Sequence, residues 1–152
     1  MKKMNVNTNF YTFEVLPNHL LYHLLKLRSE VFVVEQQCIY LDVDGKDKDA
    51  IHLVTTQDNE IIYYARIFEK GKYYQEYASI GRVIVNEKYR KERLGDDLMR
   101  KSLDYILSHW GNVPVKIAAQ EHLEKFYNKH GFVKVEERFL DDGIWHIFMI
   151  NK

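Results

Sequence analysis

The sequence SIGRVIVN (residues 79–86), followed by RKERLG (residues 90–95), places an apolar strand, a basic turn and the start of a helix in direct succession. Apolar residues then recur at helical spacing until Gly111 ends the pattern. The first turn of a helix carries backbone N–H groups without intrahelical partners, and the helix dipole adds partial positive charge there. This order of elements therefore predicts an anion site that is able to hold a pyrophosphate.

Outward from this stretch, hydrophobic periodicity and turn residues predict the remaining elements. We expect a strand over residues 10–15, a helix over 18–33, strands over 52–56, 61–68 and 79–86, a helix over 94–110, a strand over 115–118, a helix over 121–129, and a final hairpin of 132–138 and 144–150. This order predicts an α/β or α+β fold, in which helices cover the faces of a sheet. At 152 residues the chain is most simply one domain.

Two patterns resemble metal sites. In DVDG (residues 42–45), the glycine comes too early for a calcium loop and no glutamate closes the loop. His19 and His23 have the spacing of helical zinc ligands, but Leu20 stands where that motif needs a glutamate. We therefore expect no metal, and we interpret residues 42–45 as a solvated turn whose acids are available to a cationic substrate.

Charge and cysteine content limit the classes of partner. Lys plus Arg and Asp plus Glu both number 22, so no net charge draws the chain to nucleic acid or to an anionic membrane. The single cysteine, Cys38, excludes an intrachain disulfide and favours a reducing compartment. Lys2 and Lys3 are not followed by the apolar core of a signal peptide. We therefore expect a cytoplasmic protein that binds neither nucleic acid nor membrane.

Several ordered blocks carry a family resemblance: RSEVFVVEQ (28–36), DGKD (44–47), IGRV (80–83) through Gly95, AAQ (118–120) through Phe132, and DGIWHI (142–147). Over nearly the whole chain they resemble the GNAT superfamily of acetyl-CoA-dependent N-acetyltransferases, and within it the ElaA branch. The resemblance implies one domain over residues 1–152. It implies a mixed, mostly antiparallel twisted sheet of about seven strands, with helices on both faces and strands 4 and 5 splayed around the cofactor. It also implies acetyl transfer from acetyl-CoA to a small-molecule or peptide amine, by direct attack in a ternary complex, in a monomer or homodimer.

The resemblance also assigns coenzyme-binding residues. The family's phosphate loop reads R/Q-x-x-G-x-G/A; Arg90 takes its first position and Gly95 its last, while Arg93 stands where the first glycine is expected. If that glycine serves a positive φ, arginine costs about 1 kcal/mol there; otherwise arginine supplies charge in place of space. Asp96 and Asp97 follow at the helix N-terminus, where they repel a bound pyrophosphate. The implied coenzyme-binding residues are Val83, Ile84, Val85, Arg90, Lys91, Glu92, Arg93, Leu94, Gly95, Asp96, Gln120, Phe126 and Tyr127.

Acetyl transfer to an amine needs a base for the amine proton and a proton for the leaving thiolate. By resemblance, Tyr127 protonates the sulfur and Gln120 replaces the family's usual asparagine; the alternative for Tyr127 is a core tyrosine that braces the short helix. Glu35 is the first candidate base because apolar neighbours desolvate it; alternatively it is a helix-end carboxylate paired with Arg28 or a lysine. His146 is the second candidate base, or a strand histidine held by a hydrogen bond. The expected substrate-side residues are Phe32, Glu35, Gln36 and His146.

Two other functions stay open from the sequence. Arg93, Asp96 and Asp97 are unfavourable for binding the coenzyme pyrophosphate, and this is compatible with a catalytically weak acyl-CoA sensor or a protein-interaction module. The basic run KYRKER (residues 88–93) suits a nucleic-acid patch, but the zero net charge of the chain argues against it.

Overall fold

The apolar runs of the sequence form eight strands in this computed structural model, which describes residues 6–152 apart from the side chains of Lys91 and Glu92. Lys2 and Lys3 lie outside the described residues. The strands are β1 (Val6–Thr12), β2 (Ile51–Gln57), β3 (Glu60–Phe68), β4 (Ser79–Val85), β5 (Val115–Gln120), β6 (Val133–Lys134), β7 (Phe139–Asp141) and β8 (Ile144–Asn151). The α-helices are α1 (Asn18–Arg28), α2 (Leu94–Trp110) and α3 (Glu124–Asn128). None of the described helices combines the length and hydrophobicity needed to cross a bilayer.

Two antiparallel sheets meet at one parallel contact. The first has the order β1-β2-β3-β4, and the second has the order β5-β8-β6 with β7 also paired to β8. Ala78, just before β4, forms a parallel bridge with Val115 at the start of β5. Its N–H donates to Pro114 O at 3.0 Å, and its carbonyl accepts from Lys116 N at 2.9 Å. Beyond this bridge the described residues of β4 and β5 form no ladder, which confirms the expected mixed sheet with strands 4 and 5 splayed.

Helices cover both faces of the first sheet. Leu24 of α1 and Val31 pack with Tyr64 and Ile84 in one apolar cluster, whereas α2 contributes to the larger cluster on the other side. Eight of the nine residues of β3 are buried, because this strand is covered on both faces. Burial of such apolar area is the main source of stability, roughly 25 cal/mol per Å². Apolar packing on both faces therefore stabilises the first sheet as far as the point where β4 and β5 diverge.

Several predicted boundaries are wrong. Residues 13–15 form a 3-10 turn, so β1 lies earlier than the expected strand over 10–15. The α-helical geometry ends at Arg28, and Ser29–Glu35 continues as a π-helical turn. This turn contains three β-branched valines, which lower the preference for a regular α-helix.

The last third of the chain also differs from the prediction. The expected helix over 121–129 begins as a 3-10 turn at Glu121–Leu123 before α3. The expected strand over 132–138 reduces to the two residues of β6, followed by the separate short strand β7. Both short strands are largely exposed, so little apolar burial supports a longer ladder there.

The prediction of a solvated turn at residues 42–45 is wrong, because Asp42 lies in a buried arginine–aspartate cluster. We use this name for Arg28, Arg66, Arg82, Asp42, Asp44 and Asp47. Arg28, which is fully buried, donates from Nε to Asp42 Oδ2 at 2.8 Å and from Nη1 to Asp47 Oδ1 at 2.7 Å. Arg66 donates to the same Asp47 oxygen at 3.0 Å and to both oxygens of Asp44 at 2.9 and 2.7 Å.

Arg82 and His52 complete the surroundings of the cluster. Arg82 Nε lies 2.7 Å from Asp42 Oδ1, an ion-pair contact outside hydrogen-bond geometry, and Arg82 Nη2 donates to the Asp42 carbonyl at 2.9 Å. Burial lowers the pKa of His52, which favours the neutral ring. Tyr64 Oη donates to His52 Nδ1 at 2.7 Å, and His52 Nε2 donates to the Asp47 carbonyl at 2.8 Å.

The charges of the cluster determine how stability depends on pH. Burial alone raises the pKa of Asp47, but hydrogen bonds and the charges of Arg28 and Arg66 outweigh it, and the net pKa is lowered. The pKa of Asp44 is lowered in the same way, with Arg66 outweighing burial. The unfolded chain therefore takes up these protons at higher pH than the folded chain. The stabilisation is present above the ordinary aspartate pKa, about 3.9, and is lost as pH falls below it.

We predict that Asp47→Asn lowers the free energy of unfolding by roughly 3–5 kcal/mol at pH 7, because it leaves two buried guanidinium groups short of a counter-charge. Urea unfolding followed by circular dichroism measures this value. The loss of stability between pH 5 and pH 3 should also be shallower in the variant than in the wild type. Glu30→Gln is the control, since Glu30 pairs with Lys26 on the exposed surface and its removal should change little. Equal stability of Asp47→Asn and wild type would contradict the assigned role.

Candidate functional site

The divergence of β4 from β5 opens a groove of about 390 Å³. One side is β4, the other is the end of β5 with α3, and the mouth lies between the π-helical turn Ser29–Glu35 and the β7–β8 turn. The groove gathers predicted residues from distant parts of the sequence. They are Phe32, Glu35, Gln36, Val83, Ile84, Val85, Arg90, Gln120, Tyr127 and His146.

Along β4, main-chain polar groups face the groove. A bulge with Arg82 at φ 48° interrupts the ladder between β3 and β4. Beyond it Ile84 pairs with Tyr64, and Asn86 N–H donates to the Ile62 carbonyl at 2.9 Å, so these residues are directed toward β3. Because main-chain groups alternate along an antiparallel strand, those of Val83 and Val85 point into the groove. β4 thus has an edge without a partner strand here, although the Val85 carbonyl accepts from a side chain, Arg90 Nε.

Tyr127 lies on the opposite wall, with its ring in the core. The ring contacts Phe126 at 5.0 Å and Phe132 at 6.1 Å between centroids, and the residue is 7% exposed. Among the described residues its hydroxyl has no hydrogen-bond partner, although Tyr127 lines the groove. Burial raises the pKa of Tyr127 to about 12, so the hydroxyl keeps its proton at neutral pH. The residue is at once a core tyrosine and an available proton donor.

Two contacts connect the mouth of the groove to its walls. Gln120, at the end of β5, donates from Nε2 to Gln36 Oε1 at 3.3 Å. Cys38 Sγ lies 3.4 Å from the carbonyl oxygen of Asp142 in the β7–β8 turn. The segment after the π-helical turn is thereby held against both β5 and the last hairpin.

Glu35 is paired, but not with Arg28 or a lysine as the sequence suggested. Arg90 Nη1 donates to Glu35 Oε2 at 2.9 Å, and Nη2 donates to Oε1 at 3.0 Å. Arg90 Nε also donates to the Val85 carbonyl at 3.0 Å. Arg28 instead forms ion pairs with Asp42 and Asp47 in the arginine–aspartate cluster. The candidate base and the candidate phosphate ligand therefore hold each other in this structure.

His146 lines the groove, and one of its ring nitrogens has no hydrogen-bond partner among the described residues. Its Nδ1 lies 2.8 Å from the Ile144 carbonyl, a contact that requires the proton on Nδ1. In the neutral ring the lone pair is then on Nε2. The His146 ring stacks on Phe139, with 5.8 Å between ring centroids. In the β5–β8 ladder His146 pairs with Gln120. This tautomer is the one that could accept a proton from a bound amine.

The start of α2 lies beside the groove rather than in its lining. Arg93 has φ 56° and ψ 29°, so the position of the missing glycine does require the left-handed conformation. A Cβ atom on Gly95 would lie 3.2 Å from the Phe126 ring, which explains a small residue there. Arg93, Leu94, Gly95, Asp96 and Phe126 do not line the groove, and the side chains of Lys91 and Glu92 lie outside the described part of the structure.

The two aspartates of α2 have cationic partners of their own. Asp96 lies 2.9 Å from His130 Nε2 and 3.2 Å from Lys129 Nζ. Asp97 accepts from Tyr63 Oη at 2.7 Å and pairs with Lys101 at 3.1 Å. These contacts offset the repulsion that the sequence predicted between the aspartates and an anion at the helix N-terminus.

Sequence reasoning missed several lining residues. Arg82, Cys38, Tyr40, His122, Asp141 and Asp142 all line the groove. Arg82 lies in the IGRV block and Asp142 begins the DGIWHI block. The family resemblance of these blocks could therefore have identified both residues as candidates for the site. Among the side chains that the structure describes, no group of three or more His, Cys, Asp or Glu residues is arranged to hold a metal ion.

Comparison with known proteins matches residues 22–152 to the acetyltransferase (GNAT) domain. The chain is 47% identical to protein ElaA of Escherichia coli over 134 residues, which are 87% of each protein. Among solved structures, an acyl-CoA N-acyltransferase from Pseudomonas aeruginosa has a TM-score of 0.89 at 37% identity, over 96% of this chain and 99% of that one. The crystal structure of E. coli ElaA has a TM-score of 0.89 at 40% identity, with the same coverage.

We predict that Arg93→Gly is more stable than Arg93→Ala by roughly 1 kcal/mol, because only glycine adopts the left-handed conformation without steric cost. Both variants remove the same charge, so the comparison isolates the backbone conformation. Urea unfolding of the two variants gives the difference. A stability order with alanine above glycine would show that Arg93 is not strained.

Proposed function

This chain belongs to the GNAT acetyltransferase family and is an acyl-CoA-dependent acyltransferase, and from that premise we propose that it transfers an acetyl group from acetyl-CoA to an amine. The observation that carries the proposal is the groove itself. One wall carries the edge of β4 at Val83 and Val85, which has no partner strand, and the other carries a protonated Tyr127 whose hydroxyl has no partner among the described residues. The acceptor is a small molecule or a peptide with a free amine.

The open edge of β4 suits an extended ligand arm. A pantetheine arm that pairs with Val83 and Val85 would bind as an added strand, using main-chain hydrogen bonds. One of these N–H groups would polarise the thioester carbonyl as negative charge develops on its oxygen. The pyrophosphate would lie toward Arg90 and the N–H groups at the start of α2, where the helix dipole favours an anion.

The reaction follows from these positions. The amine nitrogen attacks the thioester carbonyl in a ternary complex, a C–N bond forms, and the C–S bond breaks. The thiolate leaves and takes the Tyr127 proton, while a base removes the proton from the attacking amine. Tyr127 carries its proton at neutral pH, as a general acid must, while burial, which raises its pKa to about 12, makes it a weaker acid than an exposed tyrosine.

The choice of base depends on which lone pairs are available. Both oxygens of Glu35 accept hydrogen bonds from Arg90. His146 keeps its Nε2 lone pair, because Nδ1–H is committed to the Ile144 carbonyl. In this structure His146 is therefore the candidate base with a free lone pair, whereas Glu35 can act on an amine only when Arg90 no longer holds it.

The proposed function is tested by incubating the protein with acetyl-CoA and a broad panel of amines while thiol release is measured. Release that depends on an amine supports an N-acetyltransferase. Tight binding of acetyl-CoA without release for any amine would favour the alternative, an acyl-CoA sensor. The sensor alternative is based partly on repulsion between the coenzyme and Asp96 and Asp97. Because Lys129 and Lys101 pair with these aspartates, that repulsion is reduced.

We predict that Tyr127→Phe lowers kcat by roughly ten- to a hundredfold with little change in the Kd for coenzyme A, because only the hydroxyl proton is lost. Steady-state kinetics and calorimetry measure the two quantities. Tyr22→Phe is the matched control, since Tyr22 is exposed on α1, away from the groove. Unchanged turnover in Tyr127→Phe would remove Tyr127 from the mechanism.

We predict that His146→Ala lowers kcat by roughly a hundredfold or more and that added imidazole restores part of it, because the exogenous ring replaces the missing base. His109→Ala is the control, because His109 is exposed near the end of α2 and stacks on Tyr105. A loss of activity that imidazole does not restore, together with a normal fold, would favour a purely structural role for His146.

A further inference from the structure

The pair of Glu35 and Arg90 connects two segments that are 55 residues apart in the sequence. Glu35 ends the π-helical turn at the mouth of the groove, and Arg90 belongs to the 3-10 turn Glu87–Glu92 that follows β4. Both guanidinium–carboxylate hydrogen bonds are formed, at 2.9 and 3.0 Å, in the bidentate geometry that arginine also uses for phosphate. The carboxylate thus occupies the part of Arg90 that would bind a phosphate oxygen.

The other arginine that lines the groove is not available to an anion. Arg82 is held by Asp42 through an ion-pair contact at 2.7 Å and through the Asp42 carbonyl at 2.9 Å, within the arginine–aspartate cluster. Arg90 is less constrained, since both it and Glu35 are 39% exposed at the side chain. Among the described arginines of the groove, Arg90 is therefore the one whose anionic partner can be exchanged at moderate cost.

We propose that Glu35 competes with the phosphates of the coenzyme for Arg90, so that coenzyme binding releases the Glu35 carboxylate at the mouth of the groove. Glu35 acts here as a positioning residue through Arg90. The inference rests on the proposed function, because it takes coenzyme A as the ligand of the groove. Released Glu35 is an anion beside Phe32 and Gln36, on the side where the acceptor amine would enter.

Competition between Glu35 and the coenzyme for Arg90 should weaken coenzyme binding by a measurable factor, and bound coenzyme should weaken the Glu35–Arg90 pair in turn. Breaking a partly exposed ion pair costs little, so removing Glu35 should tighten coenzyme A binding by roughly two- to fivefold. Thermodynamic linkage requires that a bound coenzyme favours release of Glu35 by the same factor. Salt should reduce the effect, because it screens an exposed pair.

The test is a double-mutant cycle on the Kd for coenzyme A, measured by calorimetry at low salt. Glu35→Gln should bind coenzyme A more tightly than wild type, and Arg90→Gln should bind it more weakly. In the Arg90→Gln background, Glu35→Gln should have no further effect, because no competition for Arg90 remains. Glu30→Gln is the matched control: it removes the same charge from the same π-helical turn, but Glu30 pairs with Lys26.

The outcomes separate the inference from the function on which it rests. Equal tightening by Glu30→Gln and Glu35→Gln would mean a general charge effect and would overturn the inference. Weaker binding by Glu35→Gln would overturn it too, because Glu35 would then be holding Arg90 in place for the phosphates. If wild type fails to bind coenzyme A, the proposed function fails; if wild type binds and Glu35→Gln leaves the Kd unchanged, only the competition fails.

Discussion

The groove depends on the arginine–aspartate cluster that holds residues 36–50 against the sheet. Asp42 joins Arg28 at the end of α1 to Arg82 in the β4 bulge, and Asp47 joins Arg28 to Arg66 in β3. A buried charge costs several kcal/mol unless it is paired and hydrogen-bonded, and here three arginines meet three aspartates. Because the π-helical turn starts directly after Arg28, the cluster also sets the position of Phe32 and Glu35. Apart from the 3-10 turn Asp47–Asp49, this segment forms no helix or strand, and these contacts order it.

The second constraint is the brief contact between β4 and β5. A longer parallel ladder would pair the edge of β4 and close the groove, whereas complete separation would divide the sheet. The single bridge at Ala78 and Val115 does neither. It joins the two antiparallel sheets at one end and leaves the N–H and C=O groups of Val83 and Val85 without a neighbouring strand, although the Val85 carbonyl accepts from Arg90 Nε. Unpaired main-chain groups are costly when buried without water or ligand, so an edge of this kind favours a ligand that completes it.

Much of the fold could be predicted from local pattern. Apolar periodicity gave α2 and the strands of the first sheet to within a few residues, and the ordered blocks predicted the splayed sheet, which the structure and its neighbours confirm. The arginine–aspartate cluster could not be predicted from the sequence. Its ion-pair partners lie at least 14 residues apart, and the DVDG motif (residues 42–45) by itself resembles a surface turn. The same limit applies to Glu35. Its neighbours in sequence are apolar, but its partner Arg90 comes from a distant turn.

Charge in this molecule is neutralised locally, and this bears on how it can bind an anion. The chain has no net charge, and three cations near the groove and the start of α2 have acidic partners: Arg82 with Asp42, Arg90 with Glu35, and Lys129 with Asp96. Arg93, at the start of α2 but outside the lining of the groove, has no acidic partner among the described side chains. An anionic ligand within the groove therefore finds little free side-chain charge among the described residues. There it can use main-chain N–H groups, whose dipoles need no counter-ion, or take a cation from a partner that is weakly held. Arg82 is bound within a buried network and Arg90 by a half-exposed carboxylate, so the exchange of partners falls on Arg90.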